Sequence, residues 1–276
     1  MKVLTYNIME GGVKNGAHQS DLSRLEKVLK VIGEQDADVF GLQETELTNG
    51  DENKLVSALS RRGYHPYNIN FSNDERPQFQ DATTGTALFS KRAPSSTWMG
   101  NGVKAVEMTF RPLFTGSLSI CSVHLSHISE ATRLPQIKEV LEKLRGEKYS
   151  ILVGDFNALS PEDSIQDNVV DHFSDKMKRK YCRDGKLCYD TVESVLKEGY
   201  VDVGLQYHSP IEITDRTDLP GPTSGGGHTM PIRMDYIFAK PEVLPHITEF
   251  VLVNQSLART ASDHFPWYIT LDFSLF

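Results

Sequence analysis

Residues 149–158 of the chain read Tyr149-Ser150-Ile151-Leu152-Val153-Gly154-Asp155-Phe156-Asn157-Ala158. Its apolar run, Ile151 to Val153, predicts a strand that is buried on both faces of a sheet. Asp155 and Asn157 follow where this strand ends, and open α/β sheets place ligands at the carboxyl ends of their strands. A simple turn is the alternative, because Asp and Asn are common turn residues after a strand. The stretch therefore predicts either a turn or one wall of a polar crevice.

The composition limits the class of protein. The chain has 276 residues, of which 39% are hydrophobic and 24% charged, which is enough for one large domain or two small ones. Its net charge of −8 does not attract polyanions to the surface as a whole. Three cysteines are too few for a disulfide framework and favour a reducing compartment. No apolar run is long enough to cross a bilayer, and residues 2–6 read as a strand rather than a signal peptide. A cytoplasmic monomer is expected, unless a presequence has been removed.

Strands and helices alternate in both halves of the chain, with no low-complexity segment or linker between them. This pattern predicts one α/β unit with two similar halves. Besides the run at 151–153, strands are predicted at 2–7, 38–44, 85–90, 104–110, 117–125, 200–203, 234–238, 247–253 and 267–273. Helices are predicted at 21–32, 52–62, 129–145 and 190–198. The stretches 68–84, 160–188 and 208–230 are polar and predict no long regular element.

Polar side chains occur repeatedly where predicted strands begin or end. Any one of them could be a solvated acid, a turn residue or a structural histidine. Together they form a set of carboxylates, amides and imidazoles without cysteine, which suits Mg²⁺ or Mn²⁺ better than zinc. Such a site is typical of phosphoryl or phosphodiester hydrolysis. The set consists of Asn7, Glu44, His124, Asp155, Asn157, Asp235, Asp263 and His264.

Six short motifs contain these residues in chain order: Thr-Tyr-Asn7, Leu-Gln-Glu44, His124-Leu-Ser-His127, Gly-Asp155-Phe-Asn157, Arg233-Met-Asp235-Tyr-Ile-Phe and Ser-Asp263-His264. Over residues 3–268 they resemble the endonuclease/exonuclease/phosphatase superfamily, which has the deoxyribonuclease-I-like fold. The resemblance implies an α/β (α+β) four-layer sandwich. Two mostly antiparallel sheets would pack face to face, with helices outside and the site at one end. It also implies a single catalytic domain over residues 1–276.

The resemblance implies a role for each residue that binds the metal or the phosphate. Glu44 resembles the main ligand of the metal. Asn7 and Asp263 resemble residues that complete or support the metal and phosphate site. Asp155 and Asn157 resemble residues that orient the attacking water and the phosphate.

The resemblance also implies a catalytic pair, in which Asp235 holds His264, and a second histidine, His124, that faces a phosphate oxygen. A carboxylate that fixes the tautomer of an imidazole and raises its basicity agrees with these roles. Either His264 or Asp155 could accept the proton of the attacking water. Some relatives that cut DNA at damaged sites carry an acid where this chain has Met9, which argues against a second metal position and an abasic-site role.

These observations predict a divalent-metal-dependent phosphodiester hydrolase, with a nuclease as the leading interpretation. A phosphatase or phosphodiesterase for small molecules or lipid headgroups is the alternative, and the acidic net charge favours it slightly. A non-catalytic binding protein on the same fold is disfavoured, because competent residues fill every catalytic position that the motifs match.

A basic segment follows the central motif and predicts contact with a polyanionic substrate. Among its cations, Lys178, Arg179 and Lys180 are the expected substrate contacts, with Tyr181 as a face on which bases could stack. Arg233 is a further candidate for substrate binding. A solvated surface loop is the alternative for this segment. Its cations are Lys176, Lys178, Arg179, Lys180, Arg183 and Lys186.

Overall fold

Two six-stranded sheets form the centre of the protein. The computed structural model describes residues 1–9, 11, 22–46, 54–71, 84–111, 116–163, 165, 167–207, 232–272 and 274. The strands of the first sheet are β1 (Lys2–Asn7), β2 (Val39–Glu46), β3 (His65–Phe71), β4 (Thr84–Ser90), β13 (Ile247–Leu252) and β14 (Trp267–Leu271). The strands of the second are β5 (Ser96–Met99), β6 (Lys104–Phe110), β7 (Leu118–His124), β8 (Tyr149–Asp155), β11 (Val201–Asp202) and β12 (Asp235–Ala239). A short hairpin, β9 (Cys182–Arg183) and β10 (Lys186–Leu187), lies apart from both.

Seven α-helices lie among the described residues. They are α1 (Leu22–Gln35), α2 (Lys54–Ser60), α3 (Glu130–Lys143), α4 (Asp175–Tyr181), α5 (Asp190–Lys197), α6 (Val203–Tyr207) and α7 (Ser256–Ala261). Two 3₁₀ helices, Asp167–His172 and Leu244–His246, complete the regular structure in these parts of the chain. None of these helices is both long and apolar enough to span a membrane.

Both sheets share one design. The strand order is β13-β14-β1-β2-β4-β3 in the first and β11-β12-β8-β7-β6-β5 in the second. The central pairs β1–β2 and β7–β8 are parallel, and the other neighbours are antiparallel. The predicted arrangement of mostly antiparallel sheets is therefore confirmed. Parallel neighbours bring their carboxyl ends to the same sheet edge, and each sheet has one such place at its centre.

The protein is a sandwich of four layers, two sheets with helices outside them. Strand residues that point to alternate faces build three apolar clusters between these layers. Val3 and Val39 of the first sheet pack with Ile151 and Val153 of the second, which fills the space between the sheets. Leu152 points the other way, because successive strand residues face opposite sides. It packs with side chains from α3 and α5, such as Ile137, Val140, Val192 and Val195. A third cluster covers the outer face of the first sheet with α1, α2 and α7.

The structure also contains elements that the sequence did not predict. Strand β3 starts at His65 and runs into the stretch 68–84, where no element was predicted, and β5 is another addition. The stretch 160–188, predicted to lack a long element, holds a 3₁₀ helix, α4 and the β9–β10 hairpin. The predicted loop at 208–230 lies outside the described residues.

Candidate functional site

The site is centred on Asp155, the last residue of β8. Strand pairing places His124 of β7 directly beside Asp155 on one side and Asp235 of β12 on the other. Gly154 makes this close approach feasible: its φ is +133°, and a Cβ at this position would lie 2.0 Å from the carbonyl oxygen of Val123. Three ionisable side chains are therefore set in one row by the register of the second sheet.

The first sheet contributes Asn7 and Glu44 from the ends of its parallel pair. Asn7 Nδ2 donates to Asp155 Oδ2 at 3.0 Å and to Glu44 Oε1 at 3.3 Å. Asn7 Oδ1 accepts from the backbone N–H of Met9 at 3.0 Å, which fixes the orientation of the amide. Glu44 has a positive φ of 58°, a strained conformation of the kind that clusters at functional sites. Asn7 thus joins the carboxylates of the two sheets as a hydrogen-bond donor.

His264 and Asp235 form the predicted pair. Nδ1 of His264 lies 2.7 Å from Oδ2 of Asp235, and Nε2 points toward Asp155, whose Oδ2 is 3.8 Å away. Burial alone would lower the pKa of His264, but the charge and hydrogen bond of Asp235, followed by the charges of Asp263 and Asp155, raise that pKa well above its ordinary value. The environment therefore favours the protonated imidazole, with Nε2–H directed into the site.

His124 has the opposite character. Its Nε2 lies 3.7 Å from Asp155 Oδ2 and 4.0 Å from Glu44 Oε1. Burial lowers the pKa of His124 to about 4, so the imidazole is neutral at neutral pH. Its buried Nδ1 has no hydrogen-bond partner among the described residues. The Oδ2 atom of Asp155 is thus nearly equidistant from one neutral and one protonated imidazole.

Asp155 itself is held by its neighbour in the chain. Its Oδ1 accepts from the backbone N–H of Asn157 at 2.8 Å, which leaves Oδ2 for the site. Burial and then the charge of Asp235 raise the pKa of Asp155 above its ordinary value. A carboxylate with a raised pKa is a better proton acceptor at neutral pH.

Asn157 is fixed from both sides of its amide. Its backbone has a positive φ of 50°, and its Nδ2 donates to the carbonyl oxygen of Leu125 at 3.0 Å. Its Oδ1 accepts from Lys180 Nζ at 2.6 Å. Lys180 was predicted to contact the substrate, but it is buried and contacts Asn157 instead. In the sequence Lys180 lies among other cations, and this pattern does not indicate which of them is buried.

The remaining predicted substrate contacts lie elsewhere. Arg233 is 1% exposed, and its guanidinium donates to Asp163 and Asp202, each at 2.6 Å. This buried double ion pair argues against the predicted contact with substrate and gives Arg233 a structural role. The prediction that Tyr181 offers a stacking face is wrong, because its ring is buried and its hydroxyl donates to Met234 Sδ.

Lys178 and Arg179 remain on the exposed surface of α4. The same helix carries Lys180 inward, so the predicted basic segment has one buried cation, whereas its other five, Lys176, Lys178, Arg179, Arg183 and Lys186, are exposed. Lys178 and Arg179 are therefore accessible for the predicted contact with substrate.

The donor set fits a hard divalent cation. Burial raises the pKa of Asp263, the charge of His264 lowers it and the charge of Glu44 raises it, which indicates that the Asp263 carboxylate lies near both residues. Oxygen ligands of this kind suit Mg²⁺ or Mn²⁺. Glu44 and Asp263 could hold the ion directly, whereas Asn7 presents its amide N–H groups to the carboxylates and supports the ligands.

A second cluster satisfies simple distance criteria for a metal but has another explanation. Ligand atoms of Asp155, Asp235 and His264 lie within 4.8 Å of one another. The 2.7 Å between His264 Nδ1 and Asp235 Oδ2 is a hydrogen-bond distance. Two adjacent ligands of an octahedral Mg²⁺ would lie about 3 Å apart, since each bond is about 2.1 Å. We therefore assign a shared proton, rather than a metal ion, to this pair.

The chain is similar to a known family over most of its length. The family model described as "Endonuclease/Exonuclease/phosphatase family" matches residues 4–264. A comparison with curated proteins gives no match.

Similar solved structures cover nearly the whole chain. A variant of the 3′ phosphatase NExo from Neisseria, bound to product DNA hairpin, has 17% identity and a TM-score of 0.68, with 99% of this chain and 100% of that chain covered. An AP endonuclease from Archaeoglobus fulgidus has 18% identity and a TM-score of 0.67, with 99% of each chain covered. An endonuclease/exonuclease/phosphatase family protein from Leptotrichia buccalis has 17% identity and a TM-score of 0.64, with 99% of this chain and 100% of that chain covered. At these identities the likeness shows the fold.

Proposed function

The chain belongs to the endonuclease/exonuclease/phosphatase family, and on that premise we propose that it is a divalent-metal-dependent phosphodiester hydrolase that acts on nucleic acid. One observation carries the proposal. Asp155 Oδ2 lies within 4 Å of Asn7 Nδ2 and of the Nε2 atoms of both His124 and His264. A carboxylate oxygen surrounded by one amide and two imidazoles can orient a water molecule beside a bound phosphate.

In the proposed reaction, a water molecule attacks phosphorus and the bond from phosphorus to the ester oxygen breaks. Asp155 accepts the proton of the water, because burial raises its pKa toward neutrality. The departing oxygen takes a proton from solvent. The products are a phosphate monoester and an alcohol.

Two groups stabilise the negative charge that develops on the phosphate. His264, held in its charged form by Asp235, donates through Nε2–H to a non-bridging phosphate oxygen. His124 is neutral and can donate one N–H to the same phosphate. This assignment gives the proton transfer to Asp155 and the electrostatic role to the His264–Asp235 pair.

The metal ion is proposed to be Mg²⁺, with Mn²⁺ as a substitute, held by Glu44 and Asp263. When bound, it supplies positive charge that neutralises the phosphate and the leaving oxygen. Asn7 keeps Glu44 and Asp155 apart at a fixed spacing by donating to both.

Nucleic acid is the proposed substrate. The exposed side chains of Lys178 and Arg179 lie on the helix that carries Lys180 into the site, so phosphates next to the scissile one can reach them. Two of the similar proteins, a 3′ phosphatase bound to product DNA hairpin and an AP endonuclease, support a nucleic-acid substrate for this chain.

The test is a substrate panel with and without EDTA. It contains DNA, RNA, bis-p-nitrophenyl phosphate, and inositol and sphingolipid phosphoesters. We expect hydrolysis of oligonucleotides and of the small diester in Mg²⁺, and its loss on chelation. Glu44→Gln should raise the Mg²⁺ concentration needed for half-maximal rate, because the substitution removes a ligand charge and keeps its shape. Full activity in EDTA would exclude the metal dependence, and hydrolysis of the lipid or inositol esters alone would exclude the nuclease.

A further inference from the structure

Lys180 is a buried cation that none of the catalytic motifs contains. It lies on α4, within the stretch after the central motif, and only 8% of its surface is exposed. Its Nζ contacts the Asn157 amide oxygen at 2.6 Å and lies 3.6 Å from Met234 Sδ. Burying an ammonium group is costly unless it is paired or needed for function. The contact is with a neutral amide, which is a weak partner for a buried charge.

Arg133 of α3 links the backbone of Lys180 to that of Ser126, which follows β7. This guanidinium, 0% exposed, donates to the carbonyl oxygen of Lys180 at 2.6 Å and to that of Ser126 at 3.2 Å. Glu130 accepts from the same guanidinium at 2.7 Å and balances its charge. Next to Lys180, the Tyr181 hydroxyl donates to Met234 Sδ at 2.9 Å. The backbone at Lys180 is thus held by Arg133 and, through Tyr181, by Met234. The lysine side chain therefore extends into the site from a fixed position.

The direction of the Asn157 amide depends on this lysine. With Nζ on Oδ1 and the Leu125 carbonyl oxygen on Nδ2, rotation of the amide by 180° would set Nδ2–H against an ammonium and Oδ1 against a carbonyl. Both contacts would be repulsive, so one orientation is enforced. In that orientation the second Nδ2–H has no hydrogen-bond partner among the described residues, and it can donate to a phosphate oxygen.

The electrostatics of the site point the same way. Burial lowers the pKa of Lys180 to about 8; the charges of Asp155 and Glu44 oppose this shift, and those of Arg133 and Lys176 add to it. The group remains largely charged at neutral pH. It adds positive charge beside a buried carboxylate and the position of an anionic substrate, without forming an ion pair that would need to break.

We propose that Lys180 is a positioning residue for phosphodiester hydrolysis: its ammonium locks the Asn157 amide with an N–H directed at the substrate phosphate. This inference rests on the proposed function. It also differs from the role predicted for the basic segment, because a positioning residue affects every phosphodiester, whereas a rim contact affects only long polyanions.

The test is a double-mutant cycle between Lys180→Met and Asn157→Ala, with bis-p-nitrophenyl phosphate as substrate and saturating Mg²⁺. Lys180→Met keeps an unbranched side chain that is one atom shorter and removes its charge. We expect kcat to fall about 10- to 100-fold, the range for loss of a charge-assisted hydrogen bond, with a smaller change in KM. In the Asn157→Ala protein the same change should alter kcat by no more than about 2-fold, because the partner is already absent. Lys138→Met, on the exposed face of α3, is the matched control and should retain wild-type kcat.

The outcomes distinguish a failure of the proposed hydrolase function from a failure of the proposed role of Lys180. A wild-type protein that hydrolyses no phosphoester overturns the proposed function before variants are compared. An active wild type with a fully active Lys180→Met protein overturns the role of Lys180 alone. The same loss in both backgrounds also overturns it, because the effect would then be independent of Asn157. Thermal unfolding checks that the variants are folded, and Lys180→Gln replaces Lys180→Met in the same cycle if the latter does not fold.

Discussion

Replacing Gly154 with alanine should destabilise the protein severely and displace the catalytic aspartate. The added Cβ would lie 2.0 Å from the carbonyl oxygen and 2.9 Å from the nitrogen of Val123 on the adjacent strand. Both are backbone atoms, so no side-chain rotation can relieve the contact. The φ of +133° is also a conformation that L-residues rarely adopt. Strand β8 must therefore move away from β7 at the residue before Asp155.

The cost can be estimated from these two effects. A sparsely populated backbone conformation costs about 1–3 kcal/mol, and overpacking adds about 1–3 kcal/mol. We expect Gly154→Ala to lower the free energy of unfolding by about 2–6 kcal/mol, a large part of the roughly 5–15 kcal/mol of a typical domain. Gly146 is the matched control: its φ is +83°, and a Cβ there meets nothing within 4 Å. Gly146→Ala should lower the free energy of unfolding by about 1–2 kcal/mol, because only the unfavourable backbone conformation contributes.

Urea unfolding followed by circular dichroism measures both variants, and the midpoints can be compared directly if the slopes agree. Hydrolysis of bis-p-nitrophenyl phosphate at a temperature where Gly154→Ala is still folded should be strongly reduced, because Asp155 has moved. Equal midpoints for the two variants would refute the argument that the approach of β7 to β8 demands glycine.

Three further predictions concern individual side chains. Asp235→Asn should lower the pKa of His264, measured by NMR titration of the metal-free protein, and reduce turnover by about 10²-fold or more. In the wild type the raised pKa of His264 adds to the free energy of unfolding below pH ~6.5, and this contribution is lost as the pH rises through the pKa of the folded protein. The variant should lack this dependence of stability on pH. Arg233→Met should lower the free energy of unfolding in urea by about 3–5 kcal/mol, because two buried aspartates lose their partner. KM for the small diester should stay unchanged, and a raised KM in the folded protein would support the predicted contact between Arg233 and the substrate. Reversing Lys178 and Arg179 to Glu should weaken oligonucleotide binding and reduce its log–log salt slope by about 1 per lost phosphate contact, with no effect on the small diester.

The fold was largely predictable because its central strands carry strong local patterns. The run from Ile151 to Val153 needs apolar neighbours on both faces, and only a strand between two layers provides them. Strand β3 was missed for the opposite reason. It is the last strand in the order of its sheet and is rich in polar residues such as Asn68 and Asn70, so backbone pairing rather than alternation defines it.

The site was predictable where its residues end strands. Strand register brings His124 beside Asp155, and Asn7 reaches Asp155 from the end of a strand in the other sheet. The positions of Lys180 and Arg233 depend instead on tertiary contacts. The two partners of Arg233 lie 70 and 31 residues away in the chain, and nothing in the spacing of charges reveals which cation such a pocket will enclose.

The order in which the site residues occur in the chain has a consequence for biosynthesis. Chains emerge from the ribosome N-terminus first, so Asn7 and Glu44 are exposed long before His264 is made. Strand β1, which carries Asn7, pairs with β14, and β14 follows His264 directly. The first sheet and the catalytic histidine are therefore completed by the same late segment. A nascent chain that has not yet reached residue 264 therefore carries Asn7 and Glu44 but lacks both His264 and the strand that pairs with β1.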